Sequence, residues 1–352
     1  MNVDRSVISV EAALADLAQF DDIVDVRSES EYAEDHMPGA LSCPVLTDAE
    51  RAEVGTMDRQ QSSFEAKRRG AAYVARNIAR HLEQSFADKP RSWKPLVYCW
   101  RGGNRSGAMT HILARVGWQA RQLEGGYRAF RRAVLAELEQ LPTPLSFRVI
   151  CGTTGSGKSR LLQHLAEAGA QVLDLEALAH HRGSVLGSLP ALPQPSQKQF
   201  ETRIWHALRG FDSSRPVFVE SESRKVGALR VPDQLLLAMR ASECVRLELP
   251  LAARVRLLRD EYVHFEADKA GLLERLDCLV PLHGHERVGA WKALVDEGRW
   301  DALVERLLVE HYDPAYLRSI GRNFTRSPQA APLALPSEDA AAFRAAARAL
   351  AA

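Results

Sequence analysis

Apolar residues fall into short runs bounded by turn residues, and these runs alternate with longer stretches of helical spacing. That alternation predicts an α/β fold with strands buried on both faces. Asp22-Ile-Val-Asp-Val26 and Leu96-Val-Tyr98 read as buried strands, the second ending at Cys99. Residues 71–86 read as an amphipathic helix, and residues 106–116 have helical spacing directly after a glycine-rich turn. Leu141-Pro-Thr-Pro144 breaks either kind of structure and predicts a linker. Beyond it, Phe147-Arg-Val-Ile-Cys151 reads as the first strand of a second domain, followed by a helix over 160–167. Val217-Phe-Val219 and the run from Cys244 to Leu249 read as further buried strands. From Leu251 onward the pattern is mainly helical. The tail, Ser337-Glu-Asp339 and then an alanine-rich run with Arg344 and Arg348, reads as a capped helix with acids first and cations later.

A length of 352 residues exceeds what one hydrophobic core usually serves. The expected organisation is a first domain over 1–139, a linker over 140–146 and a second domain over 147–352. Hydrophobic content of 46% and charged content of 26% suit a globular chain, and no run of eighteen apolar residues predicts a membrane span. The first twenty residues carry acids and lack the basic start and apolar run of a secretory signal, so the cytoplasm is the expected location. The five cysteines, Cys43, Cys99, Cys151, Cys244 and Cys278, form no CxxC pair and are expected to be thiols, all but Cys99 in the core. A net charge of +1 makes no case for nucleic acid by itself.

Candidate chemistry begins at Cys99-Trp-Arg-Gly-Gly-Asn-Arg-Ser106. A cysteine between a strand and a helix N-terminus, in a glycine-rich loop, faces inward amides; Arg101 and Arg105 add charge, and Gly102 and Gly103 let the backbone curl. Such surroundings favour the thiolate, which is the nucleophile. Together with Asp25-Val-Arg27, Glu31-Tyr32, His36-Met-Pro-Gly-Ala40 and Leu123-Glu-Gly-Gly-Tyr127, this loop resembles a rhodanese domain over most of the first 135 residues. The resemblance implies that Cys99 carries the chalcogen, and that Asp25, Arg27 and His36 are structural. Ordinary sulfurtransferases have four residues between cysteine and arginine; this chain has five, Trp100 to Asn104. The rhodanese-fold phosphatases share the longer loop, so the cradle is expected to admit a tetrahedral oxyanion such as selenophosphate, with Arg105 as a bidentate clamp. Trp100 is expected to pack against the domain interface, with stacking on a uridine or prenyl chain as the alternative.

Gly152-Thr-Thr-Gly155-Ser-Gly157-Lys158-Ser159 fits G-x-x-x-x-G-K-[ST] between a strand and a helix. Its amides would wrap a phosphate, Lys158 would neutralise an outer phosphate, and Ser159 would ligate Mg²⁺ where a metal is used. Glu220 and Glu222 end an apolar strand where a metal-positioning acid would lie, and Asp174-Leu-Glu176 competes for that role. No metal is assigned. Arg254, Arg256 and Arg259 resemble the lid arginines of small P-loop kinases, but a solvated helix face is the favoured reading.

The two motifs in one chain, with Asp174-Leu-Glu-Ala-Leu-Ala-His-His-Arg-Gly-Ser184, Glu220-Ser-Glu-Ser-Arg-Lys225 and Glu310-His-Tyr-Asp-Pro314, resemble the tRNA 2-selenouridine synthase family over nearly the full length. The resemblance implies an N-terminal rhodanese-like domain, and a C-terminal P-loop NTPase-like α/β domain with a helical C-terminal part. It implies a transferase that converts wobble 2-thiouridine to 2-selenouridine through S-geranyl-2-thiouridine. Geranyl diphosphate and selenophosphate would be co-substrates, with no tightly bound cofactor. Partners would be tRNA and the enzyme that makes selenophosphate, with no membrane. Lys67-Arg-Arg69, Arg128, Arg131 and Arg132 would either touch tRNA phosphates or form solvated faces. Three alternatives stay open: a phosphatase or arsenate-type enzyme; a small-molecule kinase whose rhodanese module delivers sulfur or senses redox state, in which the phosphate loop holds ATP; and a binding module with an inert Cys99.

Overall fold

The computed structural model describes residues 6–184, 186–189, 192–324 and 326–352. The chain forms two compact units, the first running to Glu137 and including Glu201–Arg203, the second comprising Leu138–Phe200 and Ile204–Ala352.

The first unit contains, in chain order, β1 (Val7–Ile8), α1 (Val10–Ala15), β2 (Asp22–Asp25), α2 (Glu29–Glu34), β3 (Leu41–Ser42), α3 (Asp48–Gln60), α4 (Ser63–Gln84), β4 (Pro95–Tyr98), α5 (Asn104–Val116), β5 (Arg121–Leu123) and α6 (Gly126–Leu138). Its sheet is wholly parallel, in the order β1-β5-β4-β2-β3. Central β4 is buried along its whole length, as helices on both faces of a parallel sheet require. Val24, Val97, Met109, Leu113, Phe86 and Trp93 form its core. Trp93 buries its ring but satisfies its indole N–H on Asp22, at 2.6 Å. The helix starts are written in the sequence. A capping box joins Thr47 and Glu50 at α3, and the Ser62 hydroxyl accepts the Glu65 N–H at α4. The helix expected over 71–86 begins eight residues earlier, at that serine cap.

The second unit contains β6 (Phe147–Cys151), α7 (Lys158–Glu167), β7 (Gln171–Leu173), α8 (Leu175–Ala179), α9 (Gln197–Arg209), β8 (Val217–Glu220), β9 (Lys225–Val226), β10 (Leu229–Arg230), α10 (Asp233–Ala241) and β11 (Glu243–Glu248). Helices α11 (Leu251–Glu261), α12 (His264–Ala267), α13 (Lys269–Asp277), α14 (Val280–Asp296), α15 (Trp300–Leu307) and α16 (Asp313–Asn323) follow, then β12 (Ala331–Ala334) and α17 (Ala340–Ala351). A π-helical turn, Leu308–Tyr312, joins α15 to α16. The main sheet is again parallel, ordered β12-β11-β6-β8-β7. Its core includes Ile150, Leu161, Leu165, Phe218 and Leu257, and the tail helix adds Phe343 and Ala347. A second cluster, around Trp291, Leu276, Leu303 and Leu307, holds the helical part together.

Strand β12 interrupts a region whose pattern reads as helical; Pro332 lacks a ladder donor and is tolerated because β12 is an edge strand. The tail helix forms, but Asp339 at its N-cap makes no side-chain cap bond and instead accepts from the Ser337 hydroxyl, at 2.7 Å. Cys43, Cys151 and Cys244 are buried, whereas Cys278 is exposed at the end of α13, contrary to its expected core position. Among the described residues, no helix is long and apolar enough to cross a membrane.

Candidate active site

Each unit carries one constellation at the carboxyl end of its parallel sheet, where strand-to-helix turns present backbone amides.

In the first unit, β4 delivers Cys99 to a loop that ends at the N-terminus of α5. Cys99 is buried, and burial pushes its thiol up. The Ser106 hydroxyl, 3.2 Å from Sγ, and the backbone N–H groups of Ser106, Gly103 and Arg101 outweigh that effect and hold the thiol below its ordinary value. The loop keeps its shape through Gln122, whose amide nitrogen donates to Gly102 O at 2.6 Å and to Ser106 Oγ at 3.0 Å. Gly102 has φ +64°, and a Cβ there would lie 2.6 Å from Leu123 O, so no other residue fits. Beneath the loop, Arg27 and Asp25 form a fully buried ion pair at 2.6 Å. Tyr98 Oη donates to the same carboxylate at 2.7 Å, and the Arg27 guanidinium lies 4.1 Å from the Tyr127 ring centroid.

In the second unit, β6 leads through the glycine loop into α7. Gly157 has φ +84°, and a Cβ there would meet Phe343 Cζ at 2.4 Å, so the tail helix seals the loop against the core. Lys158 Nζ donates to Gly152 O at 2.8 Å and lies 5.7 Å from the Tyr316 ring centroid. Ser159 Oγ donates to Glu176 Oε2 at 2.8 Å. The Glu176 amide in turn donates to Glu220 Oε1 at 2.8 Å, leaving Glu220 Oε2 buried without a partner among the described residues. Burial raises the carboxyls of Glu176, Glu220 and Glu222; neighbouring carboxylates add to this at Glu176 and Glu220, while Lys158 opposes it at Glu176 and Glu222. Lys158, Ser159, Glu176 and Glu222 line a cleft of about 1010 Å³. Among the described residues no three His, Cys, Asp or Glu side chains converge as a metal cage. Mg²⁺ does not need one, because it is typically held by one or two carboxylates plus substrate phosphates. Ser159 and Glu176 suit that mode.

Residues 145–274 match the family model described as tRNA 2-selenouridine synthase AAA domain, and residues 9–133 match the rhodanese-like domain. The tRNA 2-selenouridine synthase of Aeromonas salmonicida is 31% identical over 345 residues, covering 89% of this chain and 92% of that one. This chain belongs to the tRNA 2-selenouridine synthase family. The Pseudomonas fluorescens member is 34% identical across 84% of this chain and 87% of its own length. The Nitrosomonas europaea member is 36% identical across 68% of this chain, and that alignment spans 63% of its own length.

Several residues singled out in the sequence have partners within their own unit. Arg105 does not stand open as a clamp: its guanidinium is held by Glu31 at 2.8 Å, and burial of Glu31 is outweighed by this pairing, which holds that carboxyl below its usual value. Arg101 is exposed and makes no ion pair among the described residues. Trp100 stacks on Tyr127 of its own unit, with centroids 5.3 Å apart. Asp174 accepts the Ala177 N–H at 2.8 Å and caps α8, so the acid beside Ser159 is Glu176. Arg254 is buried, not solvated. Its guanidinium donates to Thr154 O at 2.7 Å and pairs with Asp313 at 2.5 Å, which ties the phosphate loop to α16. Arg256 pairs with Glu338, and Arg259 with Glu266 and Asp301. Lys67–Arg69 lie on an exposed face of α4, where Arg68 and Arg69 pair with Glu65 and Glu53.

Gln122 and Tyr316 were not legible as site residues. Tyr316 Oη accepts the Gly152 N–H at 2.7 Å, yet its chain position lies 164 residues away, and no local signal marks it.

Proposed function

We propose that this chain is a tRNA 2-selenouridine synthase, a transferase that replaces the 2-thio sulfur of a wobble uridine by selenium. The observation that carries the reading is the presence, in one chain of that family, of a thiol held below its ordinary pKa and a phosphate loop lined by buried acids. The first half-reaction alkylates sulfur. The thiocarbonyl attacks C1 of geranyl diphosphate, the C–O bond breaks, and pyrophosphate leaves as S-geranyl-2-thiouridine forms. The amides of Gly152 to Ser159, with Lys158, would take the charge that develops on the departing diphosphate. A magnesium ion at Ser159 and Glu176 would supply further charge neutralisation.

The second half-reaction needs hydrogen selenide at the same oxidation level as the selenium of selenophosphate. Transfer of that selenium onto the Cys99 sulfur would require a two-electron oxidant. Attack of the Cys99 thiolate at phosphorus balances without one. The S–P bond forms, the P–Se bond breaks, hydrogen selenide leaves, and water later releases phosphate from the cysteine. Selenide then adds at C2 of the S-geranyl base and geranyl thiol departs. Arg101 and the loop amides of Arg101, Gly103 and Ser106 would bind the phosphoryl oxygens, and the five-residue loop gives the room that rhodanese-fold phosphatases use. With tRNA as substrate and a selenophosphate-making enzyme as partner, this chemistry would take place in the cytoplasm.

The test is nucleoside mass spectrometry on thiolated tRNA incubated with geranyl diphosphate and selenophosphate. Cys99→Ala is expected to stop at the S-geranyl nucleoside, and added hydrogen selenide is expected to restore 2-selenouridine above a protein-free control. Selenide that fails to rescue would overturn attack of Cys99 at phosphorus as the source of selenide. Lys158→Ala is expected to block geranylation; undiminished geranylation would remove the loop from that step and leave ATP as its ligand.

A further inference from the structure

Beside the phosphate-loop cleft lies a second, smaller chamber of about 70 Å³ within the helical part of the same unit. Phe265, Leu272, Leu303, Leu307 and Leu308 contribute its walls, and the charged residues at its edge, Arg259 and Glu266, neutralise each other in an ion pair at 2.7 Å. A chamber so lined stays dry and accepts apolar groups. The chamber and the cleft share Thr154, Ser184, Leu258, Tyr262 and Tyr312. Thr154 belongs to the phosphate loop itself. A Cβ added at the next residue, Gly155, would lie 2.7 Å from Leu258 Cδ1, so the loop backbone rests directly on the shared wall. The π-helical turn Leu308–Tyr312 supplies the opposite side, through Leu308 and Tyr312. Just beyond that turn, Asp313 holds Arg254 against Thr154 O. The sequence stretch Glu310 to Pro314 thus joins the phosphate loop to the apolar chamber.

We propose that this chamber is the chain-end subsite for an allylic prenyl diphosphate whose diphosphate lies on the phosphate loop. The inference rests on the reading of that loop given above and adds the site of the hydrocarbon. At about 10–15 Å³ per water-sized group, the chamber holds roughly five non-hydrogen atoms, one isoprene unit. The second isoprene of a ten-carbon chain fills it while the first occupies the mouth at Thr154 and Leu258. A purine has nearly twice that many ring atoms and several polar edges that these walls leave unpaired. A five-carbon chain stops at the mouth, and a fifteen-carbon chain has no room for its last unit.

Val304 lines the chamber from α15 and is half-buried, so Val304→Phe narrows the chamber without rebuilding the core. Binding to the full chain is measured by calorimetry for geranyl diphosphate, dimethylallyl diphosphate and inorganic pyrophosphate. The wild type is expected to bind geranyl diphosphate at least about tenfold more tightly than pyrophosphate. Val304→Phe should lower that preference to within about threefold and leave pyrophosphate unchanged. In a second variant, Leu272→Ala, farnesyl diphosphate should gain on geranyl diphosphate. A geranyl preference that survives Val304→Phe, or its absence in the wild type, overturns the subsite. Geranyl binding lost in Val304→Phe but untouched in Lys158→Ala would keep the chamber and instead overturn the phosphate-loop reading.

Discussion

Replacing Ser106 by alanine tests the proposed chemistry at its starting point, the ionised thiol. The hydroxyl lies 3.2 Å from Cys99 Sγ and 3.3 Å from Gly103 O, so one proton is shared between two acceptors. A hydrogen bond to a charged group contributes about 1.5–3 kcal/mol, and one pKa unit corresponds to about 1.36 kcal/mol. Sharing puts the effect at the lower end, so Ser106→Ala should raise the Cys99 pKa by about one unit. The backbone N–H groups of Ser106, Gly103 and Arg101 survive the change, so the thiolate should be weakened rather than abolished. The assay is the pH dependence of iodoacetamide alkylation, read at the Cys99 peptide by mass spectrometry. Cys278 is the exposed thiol, and a Cys278→Ser background removes it as a competitor. Below the wild-type midpoint the variant should react about tenfold more slowly at each pH, and the rates should converge above both midpoints. An unmoved midpoint in a variant with unchanged melting temperature would show that the amides alone hold the charge, and the role given to the hydroxyl would fall.

Two further outcomes follow from the second unit. Asp313→Asn strips the buried Arg254 of its counter-charge, and because Asp313 itself is 24% exposed the cost should lie near the low end of the range for a broken buried pair, about 3 kcal/mol; urea unfolding measures it, and a loss below about 1 kcal/mol would refute the clamp. Glu220 is raised by burial, so the folded chain keeps a proton that the unfolded chain releases, and its contribution to stability is lost as pH rises above the ordinary carboxyl value. Glu220→Gln should therefore raise the melting temperature at pH 8 and leave it nearly unchanged at about pH 4, near the ordinary value of a glutamate; an equal gain at both pH values would mean that the charge is not the cause.

The positions of both glycine loops were legible because each is a local device. A strand, a turn rich in glycine and a helix N-terminus follow one another in the chain, so Cys99, Gly102, Gly152, Gly157, Lys158 and Ser159 reach their places through backbone geometry alone. The same holds for the serine and threonine caps of α3 and α4 and for the parallel strands with their continuous apolar runs. Side-chain partners across long chain separations were not legible. In the sequence Arg105 reads as an open anion clamp and Arg254 as part of a solvated helix face. One is held by Glu31, 74 residues away, and the other by Asp313, 59 residues away. A charge in isolation says nothing about which opposite charge the fold will bring to it. Glu176 rather than Asp174 stands beside Ser159 because the shorter acid is used as a helix cap. The apolar chamber draws walls from α11, α12, α13 and α15, in a stretch whose sequence pattern reads only as mainly helical. Local sequence thus determined where phosphate and thiolate chemistry could occur. Only packing between distant segments decided which arginine is free, which acid meets the phosphate loop and where a hydrocarbon could lie, because those depend on distances that the chain alone leaves unset.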